Sequence, residues 1–334
     1  MHFLIKVANN HHHASDFFKK IDLILQLFKD NINKYKNDEI FHLFKSNKRI
    51  LLFLIEEKIL TVDEFFVKQI IDSNYLAKKY PQYFAPEIKP FSNENWFPKY
   101  DKYIIKTKFV EDIMKELPDD FYEKRKIGEN ESYLCELIRK DSAEEFIAYV
   151  NRNNIPFNKT IPLSIYETNS LLIKKRSNTT LIEYAAFFGS IQIFTYLKYQ
   201  NVKLKPSLWI DVIHSKNAEL IHILEENHID PIISVFKNHI EIKEISYKGC
   251  FKESIKCHHN AIANYFLNNH QQNENENSNE IIKYYNFAFF QKEGINESIF
   301  CHLCNYDYYI LVKALIASQD VDINSKAIQK HIFQ

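Results

Sequence analysis

The chain has 334 residues, of which 46% are hydrophobic and 15% aromatic, and this composition excludes a wholly disordered protein. Its 43 basic and 43 acidic side chains give a formal charge of zero. General nucleic-acid binders and anionic-membrane binders need an excess of positive charge on one face, so we expect neither class here. No apolar run reaches the roughly 18 residues that a membrane span requires.

The cellular compartment is indicated by the N-terminus and the cysteines. The first residues, MHFLIKVANNHHH, lack the length and the cleavage site of a secretory signal. Five cysteines occur at irregular spacing, which is typical of reduced thiols inside a cell. Both observations predict an intracellular protein, in the cytoplasm or the nucleus.

Residues 1–61 predict a helical cap followed by a first repeat-like unit. Apolar residues recur at helical spacing across Asp16–Phe44, which predicts two helices, and Leu51–Ile59 closes the unit. A repeat array needs such a helix pair at its end, because a terminal unit must present one polar face.

Residues 62–130 depart from this pattern and carry most of the prolines. We predict a helix at Val62–Lys79, an ordered but irregular loop at Tyr80–Lys99, and a helix at Tyr103–Glu116. The aromatic residues of the loop favour packing against the helices. We therefore interpret the segment as an insertion in the fold, and a loop that contacts a partner is the alternative.

The segment Asn178–Pro206 predicts one complete helix–turn–helix–loop unit. Thr180 is a candidate N-cap for the first helix. Gly189 can adopt a left-handed conformation and end that helix. Ser190–Leu197 then supplies the apolar stripe of a second helix.

This second helix has counterparts with apolar residues at equivalent positions. They lie at Asn47–Leu54, Ala143–Val150, Asn217–Leu224, Asn260–Leu267 and Tyr308–Leu315. Similar loops follow at Asn153–Asn158, Gln200–Lys205 and Gln319–Asn324. In these loops asparagine stands where glycine would be ideal, because its side chain tolerates the left-handed region. A unit that recurs in this way cannot bury its apolar face alone and must stack on its neighbours.

The unit resembles the ankyrin repeat. The family pattern T-P-L-H-x-A-A-x-x-G matches at Thr180, Ala185, Ala186 and Gly189, with Ile182 in the place of leucine. The whole chain is similar to a divergent ankyrin-like family that is expanded in some protist parasites. The stretches that carry this similarity are Leu43–Ile59, Pro81–Ile88, Trp96–Tyr100, Asp119–Asn130, Ser164–Asn169 and Ile255–Tyr265. The resemblance implies an all-α, ankyrin-like helical-repeat solenoid of stacked helix–turn–helix units with short loops.

We accordingly predict that the array occupies residues 131–334. It departs from the family pattern by its scarcity of glycine, with 4 in the whole chain, and by an insertion at Ile232–Tyr247. Its last unit has no evident cap. Either the chain is a fragment, or its end pairs with another copy.

The residue types that carry chemistry are present, but their spacing does not favour a reaction. Cys301 and Cys304 form a C-x-x-C pair, and Cys257-His258-His259 could complete a zinc site, yet a second C-x-x-C is absent. The tract His11-His12-His13 is explained by a polar terminus. Motifs of hydrolases, phosphate-binding loops and metalloproteases are absent from the sequence. We therefore expect no catalytic residue, no metal and no cofactor.

A binding surface is what the resemblance implies. In ankyrin-like stacks the first helices and the loop tips line the concave face. The candidate partner-binding residues on that basis are Tyr184, Phe187, Phe188, Lys203, Lys205, Asp211, His214, Ser215, Ser254, Cys257 and His258. We expect at least one of Phe187 and Phe188 to pack on neighbouring repeats instead.

The sequence thus predicts a non-enzymatic protein–protein interaction scaffold whose protein partner is unknown. Three alternatives stay open. The Tyr80–Lys99 loop could be the contact element, the chain could be a structural homo-oligomer through its C-terminal repeat, or it could be an enzyme subunit with an unrecognised site.

Overall fold

The fold is mostly helical, as expected for an all-α protein. The computed structural model describes residues 1–10, 16–71, 79–91, 112, 114–115, 117–174, 179–237, 240–270, 278–290 and 295–318, with the backbone alone for residues 174, 232–237 and 240–245. The chain divides into two compact units, residues 3–202 with Met1 and residues 203–334 with His2. The predicted boundaries at residues 61 and 130 both fall within the first unit, and residues 131–334 are shared between the two.

The first part of the first unit is a group of short helices. They are α1 (His2–Asn10), α2 (Phe17–Leu27), α3 (Lys29–Ile32), α4 (Asn37–Phe44), α5 (Lys48–Glu56), α6 (Glu64–Ile71), α7 (Tyr80–Tyr83) and α8 (Ala85–Ile88), followed by a 3₁₀ turn at Lys89–Phe91. Their apolar faces form one core that contains the fully buried Phe41, Phe44, Phe66 and Phe84. Isoleucine and leucine are the most frequent residues of this core, and the aromatic rings lie among them.

The remainder of the first unit begins after residue 117. It contains α9 (Phe121–Ile127), α10 (Tyr133–Arg139), α11 (Ala143–Arg152), α12 (Ser170–Lys174), α13 (Leu181–Phe188) and α14 (Ile191–Tyr199). Two short strands, β1 (Thr160–Ile161) and β2 (Thr179–Thr180), pair antiparallel. Helix α10 contacts α13, and α11 contacts α14, so neighbouring pairs pack first helix to first helix and second helix to second helix.

The second unit contains further helix pairs and a hairpin. Its helices are α15 (Leu208–Ser215), α16 (Ala218–Glu226), α17 (Tyr247–Lys256), α18 (Asn260–Asn269), α19 (Ser278–Lys283), α20 (Glu297–Asn305) and α21 (Tyr309–Ala317), with a 3₁₀ turn at Phe287–Phe289. Helix α15 contacts α17, which in turn contacts α19. Strands β3 (Ile232–Lys237) and β4 (Ile240–Ile245) pair antiparallel, with Ile232 opposite Ile245.

All six predicted second helices are confirmed. Helices α5, α11, α14, α16, α18 and α21 each begin at the first residue of the predicted register or one residue after it. The predicted cap at Thr180 is also present, because its Oγ1 accepts a hydrogen bond from the amide of Glu183 at 3.4 Å and the Glu183 carboxylate accepts from the Thr180 amide at 2.9 Å. This reciprocal capping box fixes the start of α13.

In five helix pairs the turn between the two helices contains a left-handed residue, and the α4–α5 pair is the exception. It is Asp141, Gly189, Lys216, His258 or Asp307, with φ between 50° and 73°. After four of them, Lys216 being the exception, the next amide donates to a carbonyl in the last turn of the first helix at 3.0 or 3.1 Å. These bonds satisfy carbonyls that a helix end leaves without partners.

Turns that follow the second helices also contain a left-handed residue. Lys58, Asn154, Asn201 and His228 have φ between 49° and 58°, and each lies two residues after the last residue of its helix. The expectation that asparagine takes the left-handed position is confirmed at Asn154 and Asn201. The third predicted loop, Gln319–Asn324, lies outside the described residues.

Three local predictions need correction. Asp16–Phe44 contains three helices instead of two, because α2 ends at Leu27 and α3 begins at Lys29. Residues 80–91 form short helical turns, with a proline in the first turn of α7 and of α8, where a missing amide costs nothing. The insertion at Ile232–Tyr247 is a β-hairpin, which helical periodicity does not predict. The predicted helix at Tyr103–Glu116 lies almost wholly outside the described residues.

Among the described helices, none combines the length and the apolar character that crossing a membrane would demand.

The equivalence of the inter-helix turns leads to a stability prediction. Lys216 has φ +60°, a conformation that costs an L-residue with a Cβ about 1 kcal/mol. We expect Lys216→Gly to leave stability unchanged or raise it by up to about 1 kcal/mol, since glycine removes this strain but adds entropy to the unfolded chain. Lys198→Gly, inside α14, should instead lower stability by about 1 kcal/mol. Urea denaturation measures both, and equal losses would contradict the turn assignment.

Candidate functional site

A cavity of about 980 Å³ lies in the first unit, next to α10 and α13, which are the first helices of two neighbouring pairs. Its walls come from the start of α2, Arg49 of α5, the end of α9, the loop at residues 129–131, the end of α10, and Phe188 at the end of α13. Residues 168–169 contribute from the loop before α12. This volume is at the upper end of those that hold small ligands.

The wall at the end of α9 is shaped by Gly128. This residue ends the helix with φ +76°, and its carbonyl accepts hydrogen bonds from the Thr168 amide at 3.0 Å and from Thr168 Oγ1 at 2.8 Å. A Cβ at this position would approach Thr168 Oγ1 to 3.0 Å. Glycine therefore permits both the turn and the close approach of the loop at residues 162–169.

The cations of the cavity wall are held by acidic partners. Arg49 forms a bidentate pair with Asp22, at 2.6 and 2.7 Å. Arg139 Nε lies 2.9 Å from a Glu129 carboxylate oxygen, and its Nη1 donates to the carbonyl of Asn130 at 2.9 Å. Bidentate and charge-assisted contacts of this kind fix a guanidinium in one geometry. The wall is therefore a pre-organised mixture of both charges and not a basic patch.

Aromatic rings lie among these charges. The ring of Phe188 is 4.6 Å from that of Tyr184 and 5.1 Å from that of Phe187. On another wall, the Arg49 guanidinium lies 4.4 Å from the centre of the Phe18 ring, a cation–π geometry. Phe188 and Phe18 both line the cavity. A ligand there would meet apolar ring surface next to fixed charges.

Within the part of the chain that the structure describes, one buried polar group of the cavity lacks a hydrogen-bond partner. Asn169 is 2% exposed and lines the cavity, and its Oδ1 has no hydrogen-bond partner among the described residues. An unsatisfied buried acceptor costs about 1–3 kcal/mol. A bound ligand or solvent molecule with an N–H or O–H donor would remove that cost.

A buried ionisable pair lies close to this part of the site. Lys48 is 1% exposed, and its Nζ donates to the carbonyl of Ile165 at 2.6 Å and lies 4.9 Å from the Tyr83 ring centre. Burial lowers the pKa of Lys48 to about 7. Burial also raises the pKa of Glu167, 3% exposed, to about 7. Glu167 Oε1 accepts from the Asn169 amide at 2.8 Å, while Oε2 lacks a partner within the described part of the chain.

The structure buries many of the predicted partner-binding residues. Tyr184, Phe187, Asp211, His214, Ser254 and Cys257 are buried; Phe188, Ser215 and His258 are half-buried; Lys203 and Lys205 are exposed. The premise that all eleven side chains are free of core contacts is therefore wrong for the six buried ones. Phe187 is 0% exposed, which confirms that at least one of the paired phenylalanines packs in the core. Of the eleven, Phe188 alone lines the cavity.

Two of the buried candidates of the second unit, His214 and Cys257, meet at a polar cluster. His214 on α15 is 1% exposed, and its Nε2 lies 2.6 Å from Glu253 Oε1 and 3.4 Å from Cys257 Sγ. Glu253 also pairs with Lys256, at 2.5 Å. Although burial opposes ionisation, hydrogen bonds and charge from His214 and Lys256 lower the pKa of Glu253 to about 2. The carboxylate is therefore ionised and accepts from His214 Nε2.

This cluster does not have the arrangement of a cysteine nucleophile with its base. In such a relay the imidazole uses one nitrogen for the nucleophile and the other for the carboxylate. Here the single nitrogen Nε2 faces both Glu253 and Cys257. Burial also raises the pKa of the Cys257 thiol well above its usual value, so the thiol is protonated. The geometry does suit a metal ion, because these three donor atoms lie within 4.8 Å of one another.

The zinc ligands considered from the sequence are not brought together. His258 Nε2 lies 2.7 Å from the carbonyl of Tyr284, and His259 Nδ1 lies 2.7 Å from that of Ile213. Within the described residues, the C-x-x-C pair Cys301 and Cys304 belongs to no cluster of three or more ligands. Sequence reasoning missed Glu253, although it lies four residues before Cys257 and therefore on the same helix face.

Sequence reasoning also missed most of the cavity. Arg139, Gly128 and Asn169 carry no motif, and they meet only through contacts between distant segments. The stretches Asp119–Asn130 and Ser164–Asn169, which carry the similarity to the protist family, lie next to one another here.

Comparison with known proteins found no matching family model, no matching curated protein and no matching solved structure.

Burial of Glu167 predicts a pH-dependent stability. Because its pKa is raised to about 7, the folded state binds its proton more tightly than the unfolded state, where the pKa is about 4.5. The contribution of protonated Glu167 to the free energy of unfolding is therefore complete below pH 4.5. It is lost as pH rises to about 7, by up to about 3 kcal/mol. The lowered pKa of Lys48 makes stability depend on pH only above about pH 7, outside the range of this experiment.

The measurement is the urea midpoint of the wild type and of Glu167→Gln between pH 4.5 and 7. The free energy of unfolding of the wild type minus that of Glu167→Gln should fall by up to about 3 kcal/mol as pH rises, because only the wild type has a carboxyl to ionise at this position. The exposed Glu144→Gln is the matched control, because it makes the same substitution outside the core. A constant difference for Glu167→Gln would show that this carboxyl titrates normally.

Proposed function

We propose that this chain is a non-enzymatic protein–protein interaction scaffold, built as an ankyrin-like solenoid inside the cell. Support for the solenoid comes from the repeated helix pairs, since five of their turns share a left-handed position and four of these five share one hydrogen-bond pattern. Within each unit, the first helix of one pair contacts the first helix of the next pair, as expected when pairs are stacked side by side.

The proposed binding site is the cavity of the first unit, and its occupant is a peptide segment of the partner. The observation that carries this assignment is the mixed lining of fixed ion pairs, aromatic rings and one unsatisfied acceptor. A peptide offers backbone N–H donors for Asn169 Oδ1 and side chains for the surface of Phe188. Because the wall is held by its own ion pairs, binding costs little ordering of the scaffold.

The positions of Cys257 and His214, two residues of types that often carry catalysis, support the non-enzymatic part of the proposal. Cys257 is 0% exposed and protonated, and His214 directs one nitrogen to two partners. Neither residue is placed to attack a substrate.

A structural homo-oligomer is the second candidate. Helix α21 exposes Tyr309 by 71%, Ile310 by 84% and Ile316 by 41%. Apolar residues grouped in this way on the surface often mark an interface. Sedimentation of the wild type at several protein concentrations tests this candidate, and a monomer at every concentration would contradict it. If the wild type self-associates, Ile310→Lys should lower the average molecular mass at each concentration.

Phe188 provides the test of the proposed binding site. Phe188→Glu puts a charge against apolar ring surface, so capture of the partner from the source cell should fall at least tenfold, or about 1.4 kcal/mol. Tyr199→Glu is the matched control, because Tyr199 is 76% exposed on α14, a second helix. Quantitative mass spectrometry of captured proteins measures the loss, and circular dichroism checks that both variants are folded.

Two results would contradict the proposal. One is that the same partner is captured equally by the wild type and by folded Phe188→Glu. The other is that Tyr199→Glu reduces capture as much as Phe188→Glu, which would place the contact on the second helices.

A further inference from the structure

The polar cluster of the second unit combines a nitrogen, an oxygen and a sulfur donor. Glu253 lies in the last turn of α17, and Cys257, four residues later, is the C-cap of that helix and keeps helical torsions, so the two residues share one face. His214 comes from α15, which packs against α17. The three donor atoms are Nε2, a carboxylate oxygen and Sγ, and all lie within 4.8 Å of one another.

The spacing of these atoms is near that of a tetrahedral metal centre. Bonds of about 2.3 Å to sulfur and about 2.0–2.1 Å to nitrogen imply a sulfur–nitrogen separation of about 3.5 Å. The observed separation of Cys257 Sγ and His214 Nε2 is 3.4 Å. The His214–Glu253 contact of 2.6 Å is a hydrogen bond and must lengthen to about 3.3 Å when both atoms bind one ion.

The donor types select the metal. Thiolate and imidazole suit borderline-soft ions, whereas Ca²⁺ and Mg²⁺ require oxygen donors. A divalent ion would also balance the charges of one thiolate and one carboxylate, so that the buried complex carries no net charge apart from Lys256. These two arguments favour zinc.

We propose that His214, Glu253 and Cys257 form a zinc site with three protein ligands. On binding, the Cys257 thiol releases its proton to solvent, and His214 Nε2 exchanges its hydrogen bond to Glu253 for the metal, with the ring proton on Nδ1. The site opens toward the side of Glu253, whose side chain is 16% exposed, while His214 is 1% and Cys257 0% exposed. A fourth position on that side is left for water or another ligand, as in zinc sites that have three protein ligands.

Because the cluster lies in the second unit, this inference stands apart from the peptide site of the first unit. Lys256 provides an internal competitor, since its Nζ holds the same carboxylate oxygen of Glu253 at 2.5 Å. Lys256→Met should therefore strengthen metal binding, whereas loss of a ligand should weaken it. A merely structural hydrogen-bond network predicts no bound metal in either variant.

The first experiment is a titration of the full chain with Zn²⁺ and with Co²⁺. Its background is the variant His11→Ala, His12→Ala, His13→Ala, which removes the histidine tract as a second binder. We expect one equivalent of Zn²⁺ by native mass spectrometry, and for Co²⁺ a thiolate-to-metal charge-transfer absorption. Absence of any bound metal in this folded background overturns the proposal.

The location of the bound metal is tested by single substitutions in the same background. Cys257→Ser should abolish the charge-transfer absorption and weaken Zn²⁺ binding by more than about 100-fold, beyond the loss typical of outer-shell residues. Cys250→Ser is the matched control, since Cys250 is buried on the same helix but outside the cluster. Glu253→Gln is the second ligand variant, to be used if Cys257→Ser does not fold. Unchanged binding in a folded ligand variant, or equal loss in Cys250→Ser, overturns the assignment.

Discussion

The left-handed residue between paired helices is the constraint on which the architecture depends. It reverses the chain within a few residues, so the second helix must lie back against the first. In four of these five turns, the next amide then donates to a carbonyl of the helix just ended, which satisfies a group that burial would otherwise leave without a partner. Once each pair is closed in this way, its apolar stripe is covered only when another pair packs beside it.

Local structure was predictable from the sequence, because its causes lie within a few residues. Thr180 caps α13, Gly189 ends it, and the six second helices follow from apolar spacing alone. The β-hairpin and the cavity could not be predicted in this way. The hairpin interrupts the helical period, and the cavity depends on contacts such as Thr168 with Gly128, which are 40 residues apart.

The error in predicting accessible residues has a single physical reason. Helical periodicity shows which residues share a face, but not which face the adjacent pair will cover. Tyr184 and Phe187 lie on the face that becomes core, whereas Phe188, one residue later, reaches the cavity. In the second unit, packing of the adjacent pair brings His214 against Glu253 and Cys257, so His214 and Cys257, both expected at a surface, instead lie in the interior.

The identity of the inter-helix turn residues has a consequence for how such chains are recognised. Aspartate, lysine and histidine occupy this position as well as glycine, at a modest energetic cost that packing offsets. A search pattern that demands glycine there would detect Gly189 and overlook the other four turns, Asp141, Lys216, His258 and Asp307. The backbone torsion, rather than the residue type, is the feature by which further members of this architecture should be sought.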